Sequence, residues 1–248
     1  MRRFLASLLI MALVLSLLAG CSRDVDEAGA RAQRDLRDGL VIALSSEPEE
    51  GFDPCTGWGR YGNPLFQSTL IETGKDMESL YDLATDYTIS DDGLIWTFKL
   101  RKDAYFTDGM QLTAEDVVFT YETAKESGSI VDLTNMEEVY KVDDFTVEFK
   151  LHKPDLSIIY TVAATGIVPK HAYGPNYGEN PIGSGPYILA QWDKGQQVVM
   201  VANENYYGHV PAIKKVTILF LSEDGALAAG WAGRCGLYNP RAGGPGYV

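Results

Sequence analysis

The segment from Cys55 to Asn63 contains the residue types that proteins use to hold a small molecule. It reads Cys-Thr-Gly-Trp-Gly-Arg-Tyr-Gly-Asn and follows an apolar run, Leu40 to Leu44, that predicts a strand covered on both faces. Glycines let a backbone approach a ligand closely, and aromatic side chains offer flat contact surfaces. The candidate ligand contacts are Trp58, Tyr61, Thr56 and Arg60. The alternative is that Trp58 packs beneath the loop and that Arg60 is a solvated surface charge.

The other residues capable of chemistry lack the spacing that catalysis or metal binding requires. The histidines are His152, His171 and His209, and they lie 19 and 38 positions apart with no cysteine or histidine at ligand spacing. Gly183-Ser184-Gly185 is too short for a nucleophile elbow and lacks the Lys-Ser/Thr of a phosphate-binding loop. Neighbouring acids such as Asp91 and Asp92 predict solvated turns. We therefore expect no catalysis, no protein-coordinated metal and no cofactor.

The composition indicates a folded, acidic protein. The 248 residues are 46% hydrophobic and 22% charged, which argues against disordered, collagen-like and small disulfide-framework classes. Lys and Arg number 21 against 34 Asp and Glu, a net charge of −13. Binding to phosphate backbones needs clustered positive charge. Nucleic acid is therefore not an expected partner.

Hydrophobic periodicity predicts the elements that position the loop. Alternating apolar and polar residues at 94–101 and 145–152 predict half-buried strands, and each follows an acidic turn. Thr113 is placed to cap a helix whose apolar face carries Val117, Tyr121 and Ala124. Residues 71–160 thus predict a compact α+β unit. Apolar stretches at 198–201 and 216–221 predict strands of a second unit.

Several segments in order resemble the signature of the bacterial extracellular solute-binding proteins of family 5, the peptide, dipeptide and nickel receptors of ABC importers. The matching pieces are Gly51-Phe52-Asp53-Pro54, Ala84 to Gly93, Trp96 to Asp103, Phe106 to Gly109, Leu112 to Val117, Val168-Pro169-Lys170, Pro181 to Tyr187 and Asn203 to Gly208. The resemblance runs from about residue 40 to 224.

The resemblance implies a mixed α/β (α+β) fold: a lobe like that of type II periplasmic binding proteins, with an inserted α+β subdomain. Lobe I would be discontinuous, formed by 40–70 and 161–224, with 71–160 as the insertion and the second lobe missing. It also implies a small solute, an oligopeptide or a metal chelate, and ABC permease and ATPase subunits as partners. In the family, the segment corresponding to 55–63 lies beside the ligand. Asn203 to Gly208, together with Pro211 to Lys215, resembles the nickel branch, whereas Tyr160 to Gly166 lacks the arginine expected there. A nickel chelate is therefore the alternative to a peptide.

The N-terminus predicts export and a lipid anchor. Residues 1–20 have a positive start and an uncharged run that is short of the roughly 20 apolar residues of a membrane span. Leu18-Ala19-Gly20-Cys21 resembles the lipobox of bacterial lipoproteins, in which the cysteine carries lipid. Cys21 is then the lipid attachment site, 21–39 a flexible tether, and the location the cell envelope outside the cytoplasm. The alternative is an ordinary signal peptide with an accidental cysteine.

The C-terminal segment 225–248 departs from the pattern of the preceding chain. It contains seven glycines and no acidic residue. We expect an aberrant, disordered tail and hypothesise a reading-frame shift or an artificial gene end near residue 229. The alternative is a natural short variant. One lobe would supply half of a binding site, so a non-functional fragment and a surface interaction protein are further alternatives. Cys55 and Cys235 are expected to be unpaired.

Overall fold

The computed structural model describes residues 39–60, 62–127, 131–222, 225 and 236–237. Its strands, in chain order, are β1 Leu40–Leu44, β2 Ile71–Thr73, β3 Ser79–Tyr81, β4 Ala84–Ile89, β5 Ile95–Leu100, β6 Met136–Asp143, β7 Thr146–Leu151, β8 Tyr187–Asp193, β9 Gln197–Ala202, β10 Lys215–Phe220 and β11 Gly236–Leu237. Its helices are α1 Ala114–Glu126 and α2 Ile158–Ala164, and short 3-10 turns cover Pro54–Thr56, Lys170–Ala172 and Tyr177–Glu179.

One sheet has the strand order β11-β1-β10-β9-β8. The first strand, β1, pairs in parallel with both β10 and β11, and β8, β9 and β10 form an antiparallel meander. The pairing aligns Leu40 with Val216 and Leu44 with Phe220. This sheet combines strands from both ends of the described chain, and it places the carboxyl ends of β1 and β10 at one edge.

A second sheet has the order β4-β5-β7-β6 and is antiparallel throughout. The alternating patterns that predicted β5 and β7 are confirmed: Trp96, Phe98, Phe149 and Leu151 are buried. Helix α1 also begins where the sequence predicted. Thr113 accepts the Glu115 amide (3.3 Å), and Asp116 accepts the Thr113 amide (2.9 Å), a reciprocal capping box.

The hydrophobic core has a larger and a smaller cluster. The larger cluster lies on the second sheet and α1 but also takes in Cys55, Leu70, Ile167 and Tyr177, which come from outside the predicted insertion. The smaller cluster joins Phe52 and Phe66 to Val198, Met200 and Val216 of the first sheet. The predicted boundary at 160/161 falls inside α2. The division into 40–70 with 161–224 and 71–160 therefore follows the sheets but not the packing, and it remains a prediction.

One expectation is wrong. Strand β1 is not covered on both faces, because within the described chain only Ala43 of this strand is buried. An apolar run suits a strand between two neighbours, but the burial of its side chains depends on what packs on each face of the sheet.

The expectation of a disordered tail at 225–248 remains a prediction. Within this segment the structure describes residues 225 and 236–237, and Gly236–Leu237 pair with Ile42 and Ala43 of β1.

Other expectations lie outside the described residues. The predicted signal peptide, the lipid attachment at Cys21 and most of the tether fall within residues 1–38, which the structure does not describe. Cys235 also lies outside the described residues. In the parts of the chain that the structure describes, no helix is long and apolar enough to cross a membrane. Within the same parts, Cys55 is a free, buried thiol.

Candidate functional site

The candidate site lies beyond the carboxyl end of β1, where the chain runs through residues 45–60 before it enters the core at Phe66. Because β1 and β10 are parallel, their carboxyl ends share this edge of the sheet. Ligands of open α/β sheets bind outside the carboxyl ends of the strands. The structure thus places the predicted loop where such a fold holds a ligand.

Asp53 fixes the start of the loop. Its Oδ1 accepts the Cys55 amide (2.9 Å), which caps the 3-10 turn, and its Oδ2 accepts the Tyr173 hydroxyl (2.8 Å). Burial raises the pKa of the Asp53 carboxyl, and these hydrogen bonds partly oppose that effect. Gly57 ends the turn at φ 115°, a conformation that side chains other than glycine rarely adopt. The backbone of the loop is therefore held in place before any solute arrives.

Thr56 is half-buried at the end of this turn. Its hydroxyl donates to the backbone oxygen of Asp53 over 3.0 Å. Because its proton is used in the turn, the Thr56 hydroxyl can only accept a hydrogen bond from a solute.

Trp58 lies against the aromatic residues of the smaller core cluster. Its ring meets Phe52 edge-on at 4.8 Å between centroids and lies nearly parallel to Phe66 at 6.3 Å. Its indole nitrogen is buried and has no hydrogen-bond partner among the described residues. The ring therefore packs beneath the loop, as the alternative interpretation held, while its N–H donor remains unused.

Arg60 and Tyr61 complete the predicted set. Arg60 is half-buried at the end of the loop. Tyr61 lies outside the described residues. The structure thus brings Thr56, Trp58 and Arg60 to one stretch of loop, and their contact with a solute remains a prediction.

Sequence reasoning missed Glu47 and Trp192, which hold the first part of the loop. The Trp192 indole N–H donates to Glu47 Oε2 (3.0 Å), and the Gly195 amide donates to both carboxylate oxygens (2.9 Å each). The Trp192 ring also lies 5.0 Å from Phe52. Glu47 thereby ties residues 45–51 to the β8–β9 hairpin. A separation of 145 positions leaves no local signal for this pair.

The turn at Gly183-Ser184-Gly185 is structural. A Cβ on Gly183 would lie 1.9 Å from the backbone oxygen of Phe66, and the Gly185 amide donates to that oxygen over 2.9 Å. The hydroxyl of Ser184 accepts the amide of Ser68 (3.3 Å). This close backbone contact supports Phe66 under the loop.

A metal centre has no donor set in the described ranges: no three His, Cys, Asp or Glu side chains there lie close enough to share an ion. His171 Nε2 instead lies 2.6 Å from Asp108 Oδ2 at the surface.

A sheet that presents a glycine- and aromatic-rich loop at the carboxyl ends of its parallel strands, together with a second α+β sheet, is the architecture of a periplasmic-binding-protein-like lobe. The family described as "Bacterial extracellular solute-binding proteins, family 5 Middle" matches residues 80–244. The chain belongs to this family.

Curated relatives agree with this assignment. The chain is 33% identical over 205 residues to Protein XP55 of Streptomyces lividans, covering 78% of the chain and 37% of the relative. It is 34% identical over 208 residues to the probable D,D-dipeptide-binding periplasmic protein DdpA of Escherichia coli K12, covering 75% and 40%. The oligopeptide-binding protein AppA of Bacillus subtilis is 30% identical over 246 residues, covering 91% and 45%. The chain thus spans less than half the length of these relatives.

Solved structures confirm the predicted fold class. NikZ of Campylobacter jejuni in complex with Ni(L-His) matches with a TM-score of 0.74 and 28% identity, covering 80% of this chain and 42% of that one. AppA of Bacillus subtilis in complex with a nonapeptide matches with a TM-score of 0.69 and 28% identity, covering 79% and 42%. The mixed α/β lobe accounts for the match, and more than half of each neighbour lies outside it.

Proposed function

We propose that this chain is the first lobe of the substrate-binding component of an ABC importer. It captures a peptide or a similar small solute outside the cytoplasmic membrane and presents it to the permease. The role is binding without chemical turnover, because ligand capture needs only a difference in affinity between open and closed forms.

The observation that supports this proposal most strongly is the match to AppA with its bound nonapeptide, which extends over 79% of this chain. A peptide is favoured over other solutes because DdpA and AppA, two of the similar relatives, carry dipeptide and oligopeptide binding in their names.

In this proposal, Trp58 contributes a hydrogen bond as well as packing. A buried donor without a partner costs about 1–3 kcal/mol. Because this nitrogen is buried, a peptide carbonyl must displace the residues that cover it before it accepts the Trp58 indole N–H and removes that cost. The Thr56 hydroxyl, Arg60 and Tyr61 are the further proposed contacts, with Arg60 suited to a carboxylate through its planar fork of donors.

The test compares peptide affinity in two matched variants of the full chain. Trp58→Phe removes the indole N–H at the proposed site, while Trp96→Phe removes another buried and unpaired indole N–H in the second sheet. Calorimetry with a mixed oligopeptide library is expected to show binding that Trp58→Phe weakens by about tenfold, the equivalent of one hydrogen bond. Trp96→Phe should bind like the parent.

The contrary outcomes are distinct. Equal losses in both variants would show that the loss comes from a weakened fold and would refute the proposed hydrogen bond from Trp58. If the chain is folded but calorimetry shows no binding heat with any peptide, the proposed function is refuted. A non-functional fragment or a surface interaction protein would then be favoured.

A nickel chelate is the second candidate solute, because the NikZ complex with Ni(L-His) matches this chain with a TM-score of 0.74. Elemental analysis of the protein after incubation with nickel and histidine distinguishes the two. One equivalent of retained nickel, together with no heat of peptide binding in calorimetry, would support a nickel chelate as the solute.

The location and partners are part of the same proposal. The protein is proposed to be exported by residues 1–20, anchored through lipid on Cys21 to the cell envelope, and to work with ABC permease and ATPase subunits. Metabolic labelling with an alkyne fatty acid tests the anchor. Label present on the parent and absent from Cys21→Ser is the expected result, and label that persists in Cys21→Ser would contradict it.

A further inference from the structure

Asp82 is a buried carboxyl at the junction of the five-stranded and four-stranded sheets, two of the three sheets in the described residues. It lies between β3 and β4, is 6% exposed, and accepts the Thr69 amide over 2.9 Å. Its other oxygen accepts the hydroxyl of Tyr207, which lies 125 positions away in the loop that follows β9 of the first sheet. One side chain therefore fastens the 203–208 loop against the turn between β3 and β4.

The charged groups around Asp82 compensate the negative charge of its ionised carboxylate only in part. The guanidinium of Arg101 lies 3.9 Å from the centroid of the Tyr207 ring, but its Nε makes an ion pair with Asp103 (2.7 Å) and it reaches only the backbone oxygen of Asp82 (3.4 Å). Glu72 is half-buried on β2 and repels the Asp82 charge. The titratable and charged groups that surround Asp82 or line the adjoining groove are Glu72 from β2, Tyr81 from β3, Arg101, Lys102 and Asp103 after β5, and Tyr206 and Tyr207 after β9.

Burial is the dominant influence on Asp82. It raises the pKa of the carboxyl to about 7, against the lowering effect of the hydrogen bond from Tyr207. A solvent-open groove of about 540 Å³, lined by Tyr81, Asp82, Arg101 and their neighbours, gives protons a route to the group. Asp82 can therefore exchange its proton with the surroundings while the loop stays in place.

We propose that Asp82 is a proton-operated latch between the 203–208 loop and the β3–β4 turn. When the carboxyl is neutral, the buried junction carries no uncompensated charge and the loop stays docked. When the carboxyl is ionised, opening the junction lets water solvate the charge, so the loop undocks more readily. The loop thereby responds to the acidity of its surroundings near neutral pH.

The magnitude follows from proton linkage. A carboxyl with a pKa of about 7 in the docked state and 3.8 once solvated makes the opening equilibrium rise by about tenfold between pH 6 and pH 8. If the carboxyl had an ordinary pKa in both states, the opening equilibrium would not change between pH 6 and pH 8.

Amide hydrogen exchange on the full chain measures this equilibrium. The reporters are the Asn203 and Tyr206 amides, which donate to Pro186 and Asn203 over 2.8 and 3.1 Å, and the Thr69 amide on Asp82 itself. After correction for intrinsic rates, their protection is expected to fall about tenfold from pH 6 to pH 8. In Asp82→Asn the fall should disappear. In Asp92→Asn, which alters an exposed aspartate that also accepts two hydrogen bonds, it should remain.

Protection that does not change with pH in the parent, or the same tenfold fall in Asp82→Asn, would overturn the proposal. Should Asp82→Asn not fold, the carboxyl carbon of Asp82 can be titrated by NMR in the parent chain. A midpoint of pH 6 or above supports the latch, and a midpoint below pH 6 overturns it.

Discussion

Replacing Gly183 by alanine tests how the loop is supported from below. A Cβ at this position would lie 1.9 Å from the backbone oxygen of Phe66 and 2.7 Å from its carbonyl carbon. Backbone atoms cannot move aside as a flexible side chain can, so the turn must shift. The shift would strain two hydrogen bonds, from the Gly185 amide to Phe66 (2.9 Å) and from the Thr107 amide to Gly183 (2.8 Å).

The expected cost is about 2–4 kcal/mol, from two backbone hydrogen bonds at about 1 kcal/mol each and a similar penalty for overpacking. Urea unfolding followed by tryptophan fluorescence measures it. Gly174→Ala is the matched control, because a Cβ at Gly174 meets nothing within 4 Å and its backbone is not left-handed. It should change the free energy of unfolding by less than about 0.5 kcal/mol. A Gly183→Ala protein as stable as Gly174→Ala would refute the close contact between the turn and Phe66.

Three further changes have defined outcomes. Burial raises the pKa of Asp82, so its contribution to the free energy of unfolding is complete below about pH 4. This contribution declines by about 4 kcal/mol in all as the pH rises to about 7. Thermal unfolding across this pH range should show the decline in the parent and not in Asp82→Asn. Thr113→Ala removes the cap of α1 and should lower the free energy of unfolding by about 1 kcal/mol in urea titrations, with Thr113→Ser restoring most of it, and an unchanged midpoint would contradict the capping geometry. Trp58→Phe should weaken solute binding about tenfold in calorimetry while Trp96→Phe does not, and the reverse order would contradict the assigned site.

Local patterns predicted the elements of the second sheet well. The capping box at Thr113 and the alternation through β5 and β7 depend on residues within one turn or one strand. Each of these patterns involves residues that are close in sequence, so it predicts local structure independently of contacts with the rest of the chain.

Contacts across long separations could not be predicted in this way. Glu47 meets Trp192, and Asp82 meets Tyr207, over 145 and 125 positions. Nothing in the spacing of these residues distinguishes them from solvated acids and ordinary aromatics. Trp58 was predicted to lie at the site, but only the fold shows that its ring packs on Phe52 while its N–H lacks a partner in the described structure.

The family assignment and the proposed role differ in what supports them. The fold and the match at 80–244 establish the family, whereas solute capture by this chain is a proposal because the chain spans less than half of its curated relatives. A solute held between two lobes gains contacts from both, so a single lobe is expected to bind more weakly than a complete receptor.

Native mass spectrometry of the chain purified from its host shows whether the lobe carries a solute. We expect a fraction of molecules with added masses that match short peptides, and a smaller fraction for Trp58→Phe than for Trp96→Phe. A folded protein that carries no added mass, even after incubation with a concentrated peptide mixture, would contradict the claim that this lobe captures a solute.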